Sequence, residues 1–238
     1  MCSEVANLDR AADAILRQGV VNSGQVCLSI ERVYVDEAVF EPFVQLLTQK
    51  AEALDINAGA LGRGHLGPII SHAQTKVIED HLQDARAKGA RVRCGGEIER
   101  HGGDWLRATI VTDVTHDMRL MREETFGPII PVMAFSSVED AVALANDTEF
   151  GLSAAVFAGD EVEALAVAAR IDAGAVSVND AGLQSMTTEA EKTSFKSSGL
   201  GGSRMGPAGL TRFFRKKALM LQRGQPRSMD AFAEGGGK

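Results

Sequence analysis

Asn22-Ser23-Gly24-Gln25-Val26-Cys27 places one of only three cysteines directly behind a Gly-Gln pair. Two chemistries are open to that sulfur. It can pack as a small hydrophobe, as most free cysteines do. Alternatively, its thiolate can attack an electrophilic carbon. Gly24 permits tight backbone geometry, and the apolar run after Cys27 fixes the segment, so backbone amides at the turn could hold the thiol. A free thiol ionises near ~8.5, so a nucleophile here needs something to lower that value or remove the proton. Histidine is the usual partner. The five are His65, His72, His81, His101 and His116, and their spacing singles out none as a base. His72 and His81 lie on an otherwise polar helical stretch, and solvent exposure is the expectation for all five. No C-x-x-C, H-x-x-x-H or H-E-x-x-H occurs, so no metal site is expected.

A second candidate is Glu123-Glu124-Thr125-Phe126-Gly127-Pro128. Adjacent acids commonly mark a solvated turn. Here they precede a Phe-Gly-Pro stop and a buried strand. A carboxylate fixed at such an entrance can accept two hydrogen bonds from a vicinal diol such as a ribose, and Phe126 could wall the same pocket. The glycine run from Ser198 to Gly206 invites a phosphate-cradle reading and fails it. Gly201 to Gly206 has the P-loop spacing, but Pro207 follows where Lys-Ser/Thr is needed. Counted from Gly199, the sixth position of a dinucleotide fingerprint is Arg204. A loop is the expectation there. Arg212-Phe213-Phe214-Arg215-Lys216-Lys217 could touch nucleic acid through its cations and rings. The expected reading is instead cations at a helix C-terminus with the phenylalanines packed inward.

These candidates hang on an alternation of strands and helices. Asn7 or Asp9 can cap a first helix that Gly19 stops. Residues 30–35 form a strand candidate, and Asp36 caps a helix with Phe40, Phe43, Leu47 and Leu54 on one face. Residues 55–68 read as loop. Ser71 caps a helix with an Ile78, Leu82, Ala85 stripe, stopped by Gly89. Strands are expected at 92–94, 106–111, 129–135, 152–157 and 175–178. Helices capped by Ser136 or Ser137 and by Asp160 fall between the last of these. Residues 180–209 read as a long loop, 211–217 as helix and 218–222 as a last strand. Several strands are continuously apolar, which predicts an α/β fold: a largely parallel sheet with helices on both faces. Ligands of such folds bind beyond the carboxyl ends of the strands.

The chain has 238 residues, enough to bury a sizeable core. Its formal charge of −7 argues against broad nucleic-acid or acidic-membrane binding. Three widely spaced cysteines in a chain of this size suit free thiols in a reducing cytoplasm. No signal peptide is visible in MCSEVANLDR, and no stretch approaches the ~20 apolar residues of a membrane span. The final AFAEGGGK reads as a flexible tail.

Taken together, NSGQVC at 22–27, EETFGP at 123–128, FGLSAAVF at 150–157, AVSVND at 175–180 and SGLGGSRMG at 198–206 resemble the catalytic half of the aldehyde dehydrogenase superfamily. The resemblance runs from about residue 7 to 221. It implies a catalytic domain at 1–214, then an oligomerisation strand and tail at 215–238. It assigns Cys27 as the nucleophile that forms a thiohemiacetal and then a thioester. Glu124 matches the acid that holds the nicotinamide ribose, and Phe126 the aromatic beside it. The implied cofactor is NAD or NADP, and the implied partners are an aldehyde and further subunits. No nucleic acid and no membrane are expected.

The departures are as informative. Family members are about twice this long, and their first half, a dinucleotide-binding domain, has no counterpart here. The glutamate base in its Leu-Gly-Gly motif and the asparagine that completes the oxyanion hole are also unmatched. A missing oxyanion donor typically costs 10²–10³ in rate, and a missing general base roughly 10²–10⁴. The isolated chain is therefore expected to bind cofactor weakly or not at all, with negligible dehydrogenase turnover. Two other readings stay open: a non-catalytic oligomerisation or regulatory fragment, and a cofactor-independent thiol esterase.

Overall fold

A computed structural model describes residues 7–59, 62–200, 202, 205–226 and 228–229. Along the chain lie α1 (Leu8–Val20), β1 (Val33–Asp36), α2 (Phe40–Glu52), α3 (His72–Ala87), β2 (Arg91–Cys94), β3 (Ile98–Arg100), β4 (Asp104–Leu106) and β5 (Thr109–Thr112). They are followed by β6 (Ile129–Phe135), α4 (Val138–Asn146), β7 (Phe150–Gly151), β8 (Ala154–Val156), α5 (Glu161–Ala168) and β9 (Val176–Val178). Last come α6 (Leu183–Met186), β10 (Phe195–Lys196) and α7 (Gly206–Thr211).

The central sheet has the order β1-β6-β5-β2. β1 and β5 both run parallel to β6, pairing Val33 with Val132 and Thr109 with Ile129, while β2 is antiparallel to β5. The period-two pleat sends alternate residues to opposite faces. Val33, Val35, Ile110, Ile130 and Val132 pack with Ile15 and Leu16 of α1 and Phe43, Val44 and Leu47 of α2. Tyr34, Val111, Ile129 and Phe135 pack with Ile78 and Leu82 of α3 and Ala141 of α4. Both faces are covered, which is why the central strand β6 and the middles of its neighbours β1 and β5 are apolar. A parallel pair, β8-β9, packs with α5 through Val156, Ala164 and Val167.

Local chemistry sets the helix starts. Asn7, Ser71, Ser137 and Asp160 each accept a hydrogen bond from the backbone N–H three residues on. Each such cap is worth about 1 kcal/mol against alanine. Asp36 caps a short 3₁₀ turn, Glu37–Val39, that leads into α2.

Several elements differ from expectation. α1 continues through Gly19 to Val20. Gly19 serves close packing instead, since a Cβ there would lie 2.6 Å from Ile130 Cδ1. Residues 106–111 are not one strand: β4 pairs with β3 in a hairpin, and β5 joins the central sheet. The strand expected at 152–157 is shorter, β8 alone, and pairs with β9, while β7 lies just before that stretch and pairs with β10. Within 180–209 lie α6, β10 and the start of α7. The last helix ends at Thr211, and Phe213 and Phe214 are 81% and 65% exposed rather than packed inward. Residues 218–222 pair with no strand among the described residues of the single chain. The AFAEGGGK tail and Cys2 lie outside the described residues. No described helix is long and apolar enough to cross a membrane.

Candidate active site

The Cys27 loop begins where α1 gives way to a 3₁₀ turn, Val21–Gly24. Asn22, Ser23 and Gly24 have φ of 51°, 57° and 71°, three successive residues in the left-handed region. Such a path needs outside support. Ser23 Oγ donates to the Gly67 carbonyl at 2.9 Å, and Gln18 Nε2 to the Leu28 carbonyl at 2.9 Å. Gln25 donates to the Pro68 carbonyl and accepts from the Ile70 N–H, fastening the loop to the segment before α3. The Gly-Gln pair is thereby explained. Glutamine is the bracket, and glycine is the point of closest approach: a Cβ on Gly24 would sit 2.2 Å from the Gly127 carbonyl oxygen.

That contact sets the Cys27 loop against the 123–128 turn. Cys27 is exposed. Cys27, Glu31, Arg32, Glu123 and Glu124 line one cleft of about 320 Å³. Glu124 is exposed, and its carboxylate accepts no hydrogen bond from the described residues. Phe126 is half-buried, with φ of 47°, and is not among the residues lining the cleft. Cys27 and Glu124 thus share one cleft, and Phe126 follows Glu124 by two residues on the turn without lining it.

Two residues at this site were not singled out in the sequence. Glu31 accepts hydrogen bonds from the Thr125 and Phe126 N–H groups through one oxygen, each at 2.9 Å. Burial pushes its carboxyl above the ordinary value, against the lowering effect of those two bonds. An acid at the entry to a strand whose next residues are Arg32 and apolar Val33, Tyr34 and Val35 was the available signal. His81 is fully buried, which corrects the expectation of an exposed ring. It falls three residues after Ile78, on the buried stripe of α3. Its Nδ1 faces Thr125 Oγ1 at 3.1 Å and its Nε2 faces Glu123 Oε2 at 3.3 Å. Burial lowers its pKa, the Glu123 hydrogen bond opposing. Glu123 is held down to about 2, mainly by its hydrogen bonds from Arg119. Gln74 also donates to the Thr125 carbonyl at 2.6 Å. The turn carrying Glu124 is therefore held from α3, from the strand entry and from the Cys27 loop.

The remaining histidines, like His81, do not line the cleft with Cys27. His116 contacts Tyr34 and Asp147, His72 contacts Asp104, His101 contacts Glu99, and His65 accepts from the Asp55 N–H. Cys94 is half-buried, and its thiol donates to the Ala108 carbonyl at 3.6 Å.

A nicotinamide dinucleotide fits this site in part. Glu124 offers an unengaged acceptor at the cleft for a ribose diol. A volume of about 320 Å³ lies at the small end of ligand pockets, enough for one end of such a molecule.

A profile described as the aldehyde dehydrogenase family matches residues 1–219. The NADP(+)-dependent succinate-semialdehyde dehydrogenase of Escherichia coli is 37% identical over 174 residues, 73% of this chain and 36% of that protein. Among solved structures, an Anabaena variabilis protein assigned as the aldehyde dehydrogenase PutA superposes with a TM-score of 0.92 at 53% identity, covering 96% of this chain and 49% of that one. Betaine aldehyde dehydrogenase from Staphylococcus aureus, solved in complex with NAD+, superposes at 0.87 with 29% identity, covering 98% and 48%. The chain thus spans about half, or less, of the length of these relatives. By motif order, profile and fold alike, the chain belongs to the aldehyde dehydrogenase family.

Proposed function

We propose that these residues supply the nucleophile half of an NAD(P)-dependent aldehyde dehydrogenase, with Cys27 as the catalytic cysteine. One observation carries the reading: Cys27 and Glu124, far apart in sequence, line the same cleft. The Cys27 thiolate attacks the aldehyde carbon, forming the C–S bond of a thiohemiacetal. The Cys27 N–H, which donates to no described backbone group, is free to donate to the developing oxyanion in this reading. A nicotinamide cofactor held by Glu124 would supply the hydride acceptor for this carbon. The thioester left on Cys27 is hydrolysed by water, its OH going to the acyl carbon and its proton to sulfur, which releases the carboxylic acid and the Cys27 thiol. Glu124 orients the cofactor by accepting from the nicotinamide ribose, and Phe126 stands beside it on the same turn.

The base for thioester hydrolysis, the second oxyanion donor and most of the cofactor site lie outside these 238 residues in this account. The chain alone then binds cofactor no more tightly than the millimolar range, about −4 kcal/mol, and does not turn over as a dehydrogenase. Residues 1–214 act as the catalytic domain. The exposed Leu219, Met220 and Leu221 of the 215–238 segment pair with a neighbouring subunit. The exposed Cys27 also favours a second reading, cofactor-independent hydrolysis of activated esters. The experiment is complementation. The chain is mixed with a separately produced dinucleotide-binding half of a family member, and formation of reduced cofactor is followed with an aldehyde. Turnover by the mixture and by neither part alone is expected; turnover by the 238-residue chain alone would overturn the proposal.

A further inference from the structure

We propose that Glu31 is a positioning residue: its carboxylate, four residues past the nucleophile, sets the orientation of the turn that presents Glu124. This rests on the reading of Glu124 as the ribose acceptor. The geometry is specific. A single Glu31 oxygen, Oε1, accepts from two consecutive backbone N–H groups, those of Thr125 and Phe126, each at 2.9 Å. Two adjacent amides converging on one acceptor form a nest that a carboxylate fills well. The turn needs such a fixture. Phe126 has φ of 47°, an unfavourable left-handed value for an aromatic residue. Thr125 N–H and Phe126 N–H directly follow Glu124, so any rotation of these peptides swings the Glu124 side chain. Glu31 also lines the same cleft as Cys27 and Glu124. One side chain therefore couples the strand entry behind the nucleophile to the turn that meets the cofactor.

A bridging acceptor and a charged acid–base group make opposite demands. Glu31→Gln keeps the reach and an acceptor oxygen but loses the charge. Glu31→Asp keeps the charge but is one methylene too short to meet both amides. The probe is nicotinamide mononucleotide, followed through the amide resonances of residues 123–127 in the 238-residue chain. Wild type is expected to show saturable shifts, and Glu124→Gln to lose them. Glu31→Asp should weaken the affinity about tenfold or more, as for one lost hydrogen bond to a charged group, with faster amide exchange at 125 and 126. Glu31→Gln should stay within about twofold of wild type. Wild-type affinity in Glu31→Asp, or loss in Glu31→Gln with retention in Glu31→Asp, would overturn the positioning role while Glu124 still stands. Resonances unmoved in wild type, or moved equally in Glu124→Gln, would overturn the Glu124 reading and this inference with it.

Discussion

Substituting Gly24 by alanine tests whether the Cys27 loop and the 123–128 turn are locked together. The new Cβ would lie 2.2 Å from the Gly127 carbonyl oxygen, 2.3 Å from its carbon and 2.7 Å from the Pro128 nitrogen. All three are backbone atoms, so no rotamer change relieves the clash. Gly24 also has φ of +71°, where a side chain costs about 1 kcal/mol before any contact is counted. Overpacking against a rigid wall adds about 1–3 kcal/mol. The sum, about 2–4 kcal/mol, is a large share of a typical folding stability of roughly 5–15 kcal/mol. At about 2–4 °C per kcal/mol for this chain length, the melting temperature should fall by about 5–15 °C. Calorimetry measures it, with Gly59→Ala as control, where an added Cβ meets nothing within 4 Å. The control should stay within about 0.5 kcal/mol of wild type. A Gly24→Ala chain melting within about 1 °C of wild type would refute the reasoning, because the loops would then have room to separate freely.

Alkylation by iodoacetamide should fall first on Cys27, which is exposed, and slowly on Cys94, whose thiol burial holds in the protonated form; peptide mapping after partial reaction reads the order. The stability of the wild-type chain should decline as pH falls below about 6.5, because the unfolded His81 ring takes a proton that the buried ring resists. The contribution is fully present above that pH and is lost as pH drops toward the depressed folded value. The groups facing the ring, Glu123, Asp84 and Arg119, do not reverse that sign. His81→Gln should be less stable at neutral pH and lack this component, and equal slopes of urea midpoint against pH in both chains would count against it. Measurements belong above about pH 4.5. Below that, Glu123 and Asp147, both held to about 2 chiefly by Arg119 and Arg122, lose their own contributions as they protonate.

What the sequence made legible was local. Asn7, Ser71, Ser137 and Asp160 announce helix starts because each cap bonds within three residues of itself. The seven-residue β6 was readable because both its faces are covered, leaving one unbroken apolar run. The cleft was legible only through two motifs whose juxtaposition no local rule supplies. Glu31 went unnoticed because its partners lie 94 and 95 residues away. His81 was misread because its polar neighbours outweighed its place on the buried stripe. The β3-β4 hairpin was missed because three-residue strands around His101, Gly102 and Gly103 give too short a pattern to separate from loop. Residues 218–222 have strand composition but no ladder partner among the described residues, and composition alone cannot name one.

The central claim, that Cys27 is the nucleophile of this cleft, is tested most directly by trapping it. The chain is incubated briefly with an activated aryl ester, digested and examined by mass spectrometry. A single acyl group on Cys27, absent from the Cys27→Ala chain, is the result this account predicts. Acylation of Cys94 or of lysines at the same rate, with Cys27 unmodified, would contradict it.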